Sequence, residues 1–413
     1  MLNGSIVKNN TGNISISISK IRTDLKLWFF LLPAFKLTIL ETFPILDKLY
    51  SLWAILSLFV LSMIVMLHEK AEKKNIIYVG CIVGFCGIYT LMTRVYTPVA
   101  FLGSISQSAR IMIFPLYMLA YRDANFKELL NSLSNFFKVL LFVDAVTIFV
   151  DYDGKLQYSL LGLDNTVIFL IIPLLTIIMF NDYYRYGKFS RASVGVFAIC
   201  VVGKLYSQAV TACLALSVFI LAYYVVMSRK RNFFVRITEK VINPTIMFGV
   251  FVVFTTMTLL FDLTPFFSSI FKVFGKDGTL SGRTKIWALS ADSIFKNPII
   301  GYGQAYPEYF QSRVGLSIWD KAATHTHNFA LELLWSTGII GTFLFMYLFV
   351  KAIRKLYEYR RIKSVRLLNC GFTAFCVLMI TDSYIMQPSI IILSFLCLNI
   401  EKIMIQKVTK RNK

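Results

Sequence analysis

The chain has 413 residues, 57% of them hydrophobic, with a mean hydropathy of +0.66 and a formal net charge of +21. Repeated apolar runs of roughly 18–23 residues exclude a soluble globular domain, and their lack of alternation excludes an outer-membrane barrel. The expected fold is all-α: a polytopic helical membrane protein of about 12 spans, forming a single integral membrane domain over 1–413.

Residues 1–24 are polar and lack the short apolar core and small-residue cleavage site of a signal peptide. Spans follow near 27–45, 49–67, 76–93, 104–121, 136–151, 165–180, 192–206, 209–227, 243–263, 328–350, 367–381 and 384–400, the first interrupted by Lys36 and Glu41. The stretch 192–227 would make one helix ~54 Å long, too much for a single crossing. Lys204, Ser207, Gln208 and Thr211 at its middle favour a hairpin. Segments 1–26, 68–75, 121–138, 181–193, 228–240, 351–366 and 401–413 hold 30 of the 43 Lys and Arg. That asymmetry puts them, and both termini, on the cytoplasmic side, so the basic charge signals topology and not nucleic-acid binding. All seven cysteines fall inside spans without zinc-ligand spacing and read as packing residues.

Connections are short except for 264–326, a large extracytoplasmic loop that should carry short helices of its own. One is legible in "SGRTKIWALSADSIFKNPIIGYG". Ser281 is a good N-cap, while Trp287, Ala291 and Ile294 share a face that would lie toward lipid or protein. Asn297-Pro298 ends the helix, and Gly301 and Gly303 follow as a tight turn.

Two of only three histidines, His325 and His327, stand at the start of span ten. A neutral imidazole there can serve as a general base; equally, the pair can cap a helix at the interface. Zinc is disfavoured because the loop offers no further His or Cys. Arg283, opening the loop helix, can clamp a phosphate with two parallel hydrogen bonds, or be a solvated loop arginine; Arg313 and Lys321 have weaker claims. Arg110 and Lys204 lie within spans, where a cation either pairs with Asp144, Asp164, Glu332 or Asp382 or lines a cavity for an anionic substrate. Gly338 and Gly341 suit close helix packing.

The loop stretch, followed by "HTHNFALELLWSTGIIGTFLF", resembles the C-terminal signature of the O-antigen ligase and polysaccharide polymerase superfamily over about 281–345. The shared set is a Gly-Arg before an apolar-Trp helix, an Asn-Pro-x-x-Gly-x-Gly turn, a His-Asn pair and a Gly-x-x-Gly. The resemblance implies glycosyl transfer at the outer face of a bacterial cytoplasmic membrane, from an undecaprenyl-diphosphate-linked oligosaccharide to a hydroxyl acceptor, with no cofactor, nucleotide sugar or metal. Carried over by position, His327 would activate the acceptor and Arg283 would bind the diphosphate. His325, Asn328, Arg110, Lys204, Gln208 and Arg313 would contact substrate. Many members carry Ser-Arg-Gly at the span-seven to span-eight hairpin, where this chain reads "YSQAVTACLAL", with Gln208 in place of the arginine. The expected activity is a polymerase of capsule, exopolysaccharide or O-antigen repeat units, working beside a flippase and a chain-length regulator. A ligase moving finished glycan to lipid, wall or protein is the alternative; a flippase or transporter would need repeat symmetry or broken helices, which the sequence does not display.

Overall fold

A computed structural model describes residues 18–67, 72–120, 126–150, 158–207, 210–228, 232–241, 243–263, 265, 283–315 and 324–408. The chain is an all-α, multi-pass membrane protein. Among the described residues its only sheet is the two-residue pairing of β1 (Tyr158–Ser159) with β2 (Gly162–Leu163). The helices in chain order are α1 Ile18–Leu31, α2 Pro44–Met66, α3 Lys73–Tyr96, α4 Phe101–Ala120, α5 Phe126–Val150, α6 Asp164–Tyr186, α7 Arg191–Tyr206 and α8 Val210–Met227. There follow α9 Phe233–Val241, α10 Pro244–Leu260, α11 Arg283–Lys296, α12 Pro307–Val314, α13 Phe329–Glu358, α14 Lys363–Thr381, α15 Pro388–Leu398 and α16 Ile400–Val408. Among the described residues, 8 are long and apolar enough to cross a membrane, and 9 if α9 and α10, bent by 49°, count as one span. Three more of the 12 predicted spans correspond to the shorter α1, α7 and α15.

Two predicted boundaries need correction. The first span, 27–45, is not one helix: α1 stops at Leu31 and gives way to 3₁₀ turns at Leu32–Ala34 and Thr38–Thr42. Pro33 cannot donate to a continuing helix, and Lys36 pairs with Glu41 across the break. Tyr50 Oη ties the break to α2 by donating to the carbonyls of Leu32 (2.7 Å) and Phe35 (2.9 Å). The last span, 384–400, begins later and is interrupted. Residues 382–387 are non-helical, Pro388 opens α15, and Asn399 separates it from α16.

The segment α6 is apolar on all sides and buried almost throughout, as expected of a helix at the centre of a bundle. Around it pack α5, α8, α14 and α15, while α13 lies between α3 and α14. The stretch 192–227 is split into α7 and α8, with Ser207 ending α7.

The long loop is fastened to α13 by a satellite core. Trp335, fully buried, meets the rings of Tyr302 and Phe310 at 5.2 Å each, and Ile286, Trp287, Ile294 and Leu331 complete the cluster. The apolar face of the loop helix thus turns into protein: Trp287 stands edge-on to Phe254 of α10 at 5.5 Å.

The glycines make this docking possible. Helix α13 breaks at Gly338, whose φ of 59° and ψ of −166° suit essentially glycine alone. The Asn297–Gly303 turn enters the break. Tyr302 and Gly303 donate to the freed carbonyls of Trp335 and Ser336 (2.8 Å each), and Ile339 and Ile340 donate to Pro298 (2.8 Å) and Ile299 (3.2 Å). Gly338 therefore admits a loop backbone, not the neighbouring helix that its spacing suggested: a Cβ there would collide with the Ile299 backbone. Gly338→Ala should cost about 1–3 kcal/mol of stability. The check is a lowered thermal midpoint for the purified variant, with faster proteolysis of 297–315.

Candidate active site

The break in α13 fixes the start of α11 relative to the start of α13, and both carry candidate residues. Asn328 caps α13: its Oδ1 accepts from the backbone N–H groups of Ala330 and Leu331 at 3.1 Å. Its position in the fold is that of a buried cap, although its Nδ2 has no partner among the described residues. Thr326, between the two histidines, is held by Glu332, whose carboxylate accepts from Thr326 N (2.9 Å) and Oγ1 (3.0 Å). The lone carboxylate in the apolar run thus anchors the histidine turn. With that anchor in place His327 sits at φ 52°, the one non-glycine residue with positive φ among the described residues. Strain of this kind persists where surrounding structure over-determines it, and it concentrates at functional sites.

Asp382 joins these elements. It caps the C-terminus of α14 and is 3% exposed. Its Oδ1 lies 3.2 Å from His325 Nε2 and 3.3 Å from His327 Nδ1, and accepts from Ser383 N at 2.9 Å. Its Oδ2 lies 3.8 Å from the Arg283 guanidinium. The two imidazoles are tilted by 42° with centroids 4.0 Å apart. Arg283, His325 and His327, separated by some forty residues of loop, are thus brought to one carboxylate from a third element.

The hydrogen bonds distinguish the histidines. His325 has both ring nitrogens engaged, Nε2 with Asp382 and Nδ1 with Thr324 Oγ1 at 2.9 Å. His327 uses Nδ1 toward Asp382, and its Nε2 makes no hydrogen bond among the described residues. A carboxylate at Nδ1 favours the tautomer that carries its proton there, leaving the Nε2 lone pair available. Burial holds the His327 imidazole below the usual histidine value, a push that its hydrogen bond to Asp382 opposes only in part. Burial alone would raise the Asp382 carboxyl, but hydrogen bonds and charge from the two histidines hold it well below the usual carboxylate range. The arrangement provides a neutral base beside a fixed anion and a guanidinium. The same His325, His327 and Asp382 atoms, all within 4.8 Å of one another, also form a group that can ligate a metal. Asp382 supplies the third ligand that the loop lacked, while the nearby Arg283 charge works against a cation.

The other candidates lie elsewhere. Arg110 is buried in α4, with Nη2 donating to Ser51 Oγ at 3.2 Å and Nε without a partner among the described residues. It lines a small cavity with Lys36, Gln107, Tyr384 and Gln387, beside the segment that follows Asp382. Lys204 is fully buried near the end of α7, and it and the buried Asp144 lie around Cys200. Arg313 lies in a cage of tyrosines, its guanidinium 5.2 Å from the Tyr309 ring, 5.8 Å from Tyr96 and 5.9 Å from Tyr302. Gln208, Ser281 and Lys321 lie outside the described residues. Asp382 entered the sequence reading only as a partner for Arg110 or Lys204. Its signal was a solitary carboxylate between the apolar stretches of α14 and α15, where an ionisable side chain is costly.

A family model described as O-antigen ligase matches residues 195–346. The exopolysaccharide production protein ExoQ of Rhizobium meliloti is 32% identical over 117 residues, 26% of this chain and 27% of the relative. A Rickettsia conorii protein provisionally named a polysaccharide ligase is 32% identical over 80 residues, 18% of this chain and 20% of the relative. The chain thus spans about a quarter of the length of the curated relatives it matches. No solved structure matches it. The stretch 195–346 that matches the O-antigen ligase family model holds Arg283, His325 and His327, while Asp382 reaches them from beyond its end.

Proposed function

We propose that the protein is a polysaccharide polymerase, a glycosyltransferase that joins oligosaccharide repeat units carried on undecaprenyl diphosphate at the extracytoplasmic face of the bacterial cytoplasmic membrane. The observation that carries this reading is the convergence on Asp382 of a histidine with a free Nε2 and an arginine. In the step, His327 Nε2 takes the proton from an acceptor hydroxyl. The acceptor oxygen forms a bond to the anomeric carbon of the donor sugar, and the bond from that carbon to the lipid diphosphate breaks. Arg283 offsets the charge of the departing diphosphate. The membrane bundle contributes positioning: two lipid-borne reactants held in one plane react as though joined. His325 orients Asp382, and Arg110 in its cavity is a further candidate for substrate contact. A flippase and a chain-length regulator would be partners of such a polymerase.

A ligase is the second reading, favoured by the description of the matching family and by the name of the Rickettsia conorii relative. Purified protein incubated with lipid-diphosphate-linked repeat units separates the two. A ladder of products is expected for a polymerase, a single transfer to a supplied acceptor for a ligase, and transbilayer movement without new bonds would contradict both. EDTA should leave the activity intact. Loss in EDTA with recovery on adding zinc would reassign His325, His327 and Asp382 as metal ligands.

The depressed pKa of His327 sets a pH dependence. The base works only when neutral, so activity should persist as pH falls below the ordinary histidine value of about 6.5 and be lost at more acidic pH. An acid limb of kcat/KM at or above that value would contradict the assignment.

A further inference from the structure

A cavity of about 660 Å³ lies where α8, α9, α10, α13 and α14 meet. Arg366 stands sixteen positions before Asp382 along α14, about 24 Å of helix, so the cavity is distinct from the His327 cluster.

The lining combines the apolar Val225 and Val226 of α8 and Ile353 of α13 with three arginines, Arg360, Arg361 and Arg366. Glu239 is the one carboxylate in the lining, and it is paired with Arg366. Arg360 and Arg361 have no carboxylate within ion-pair distance among the described residues. Arg360 is nonetheless fixed: Nη1 donates to the Tyr357 carbonyl at 2.9 Å, and the guanidinium lies 3.8 Å from the centre of the Tyr357 ring. Pro244 and Thr245, the first residues of α10, also line it, with the Thr245 and Ile246 N–H groups donating to Asn243 Oδ1. Such a surplus of positive charge calls for an anion. Next to it α10 exposes Ile246, Val250 and Val253, an apolar surface suited to hydrocarbon chains.

We propose that this cavity binds one anionic glycerophospholipid, its phosphate held by Arg360 and Arg361, its acyl chains lying along the outer faces of α8 and α10. Basic pockets between membrane helices hold such head groups. The site is independent of the assignment of His327.

The test is native mass spectrometry of the full chain released from detergent, titrated with phosphatidylglycerol and with zwitterionic phosphatidylcholine. Saturable binding of one phosphatidylglycerol is expected, without comparable binding of phosphatidylcholine. The double variant Arg360→Gln/Arg361→Gln should bind phosphatidylglycerol about 30-fold more weakly, and Arg360→Lys/Arg361→Lys should keep most of the affinity. Both positions are exposed, so folding should survive, and an unchanged thermal midpoint verifies it. Equal retention of the two lipids, or undiminished binding by the Gln variant, would overturn the proposal. Displacement by inorganic phosphate at matched concentration would reduce the site to one for a free anion, and displacement by polyprenyl phosphate at lower concentration would give it to a carrier lipid; either also overturns it.

Discussion

Replacing His327 by asparagine should slow glycan transfer by ~10²–10⁴-fold, the usual contribution of a positioned general base, while binding of the lipid-linked donor is retained. Asparagine is the informative choice because residue 327 has φ 52°. Asparagine tolerates left-handed backbone better than most side chains, so the variant removes the imidazole without forcing the turn to relax. Alanine would mix loss of the base with backbone strain. Arg283 stays in place, so donor affinity should change little. Single-turnover transfer and donor binding, measured on the same preparation, separate the two effects. A variant rate within a few-fold of wild type would remove His327 from the chemistry.

Asp382→Asn should produce a loss of similar size, ~10²–10⁴-fold in kcat, although Asp382 is a positioning residue that never meets the substrate. An asparagine amide can donate to His327 Nδ1, which favours the tautomer with its proton on Nε2, where the acceptor hydroxyl must deliver its own. The substitution also removes a negative charge beside Arg283 and both histidines. Asp382 raises the His327 pKa against the effect of burial. Without it, His327 should become still harder to protonate, so the acid limb of the residual activity should move further to acid. A purely structural defect would lower activity at every pH without that displacement. The pH profile therefore tells repositioning from misfolding.

Much of this architecture is legible in the residues. Apolar runs and basic flanks give the membrane fold because a bilayer admits few other arrangements, and the patterned stretch from Arg283 to Lys296 does form a helix in the loop. Less accessible was everything that depends on contact across elements. Span one fails as a helix because Pro33 and the Lys36–Glu41 pair act together. Gly338 reads as a packing glycine until the Asn297–Gly303 turn is seen to occupy its break. Arg313 looked like a loop cation near substrate, but three tyrosines distant in sequence or hidden in the loop pattern claim it. Asp382 was the largest omission, because no local motif surrounds it. Its meaning comes from ending α14 against the start of α13, a relation that no spacing rule along the chain encodes.

The central physical claim is that His327 is a neutral imidazole whose proton sits on Nδ1, against Asp382. The chain has only three histidines, so ¹⁵N-histidine labelling gives a spectrum simple enough to assign by single substitutions. The account predicts that His327 shows a protonated Nδ1 and a bare Nε2 at neutral pH, and that it gains its second proton only below about 6.5. A proton on Nε2, or titration at or above that pH, would contradict it.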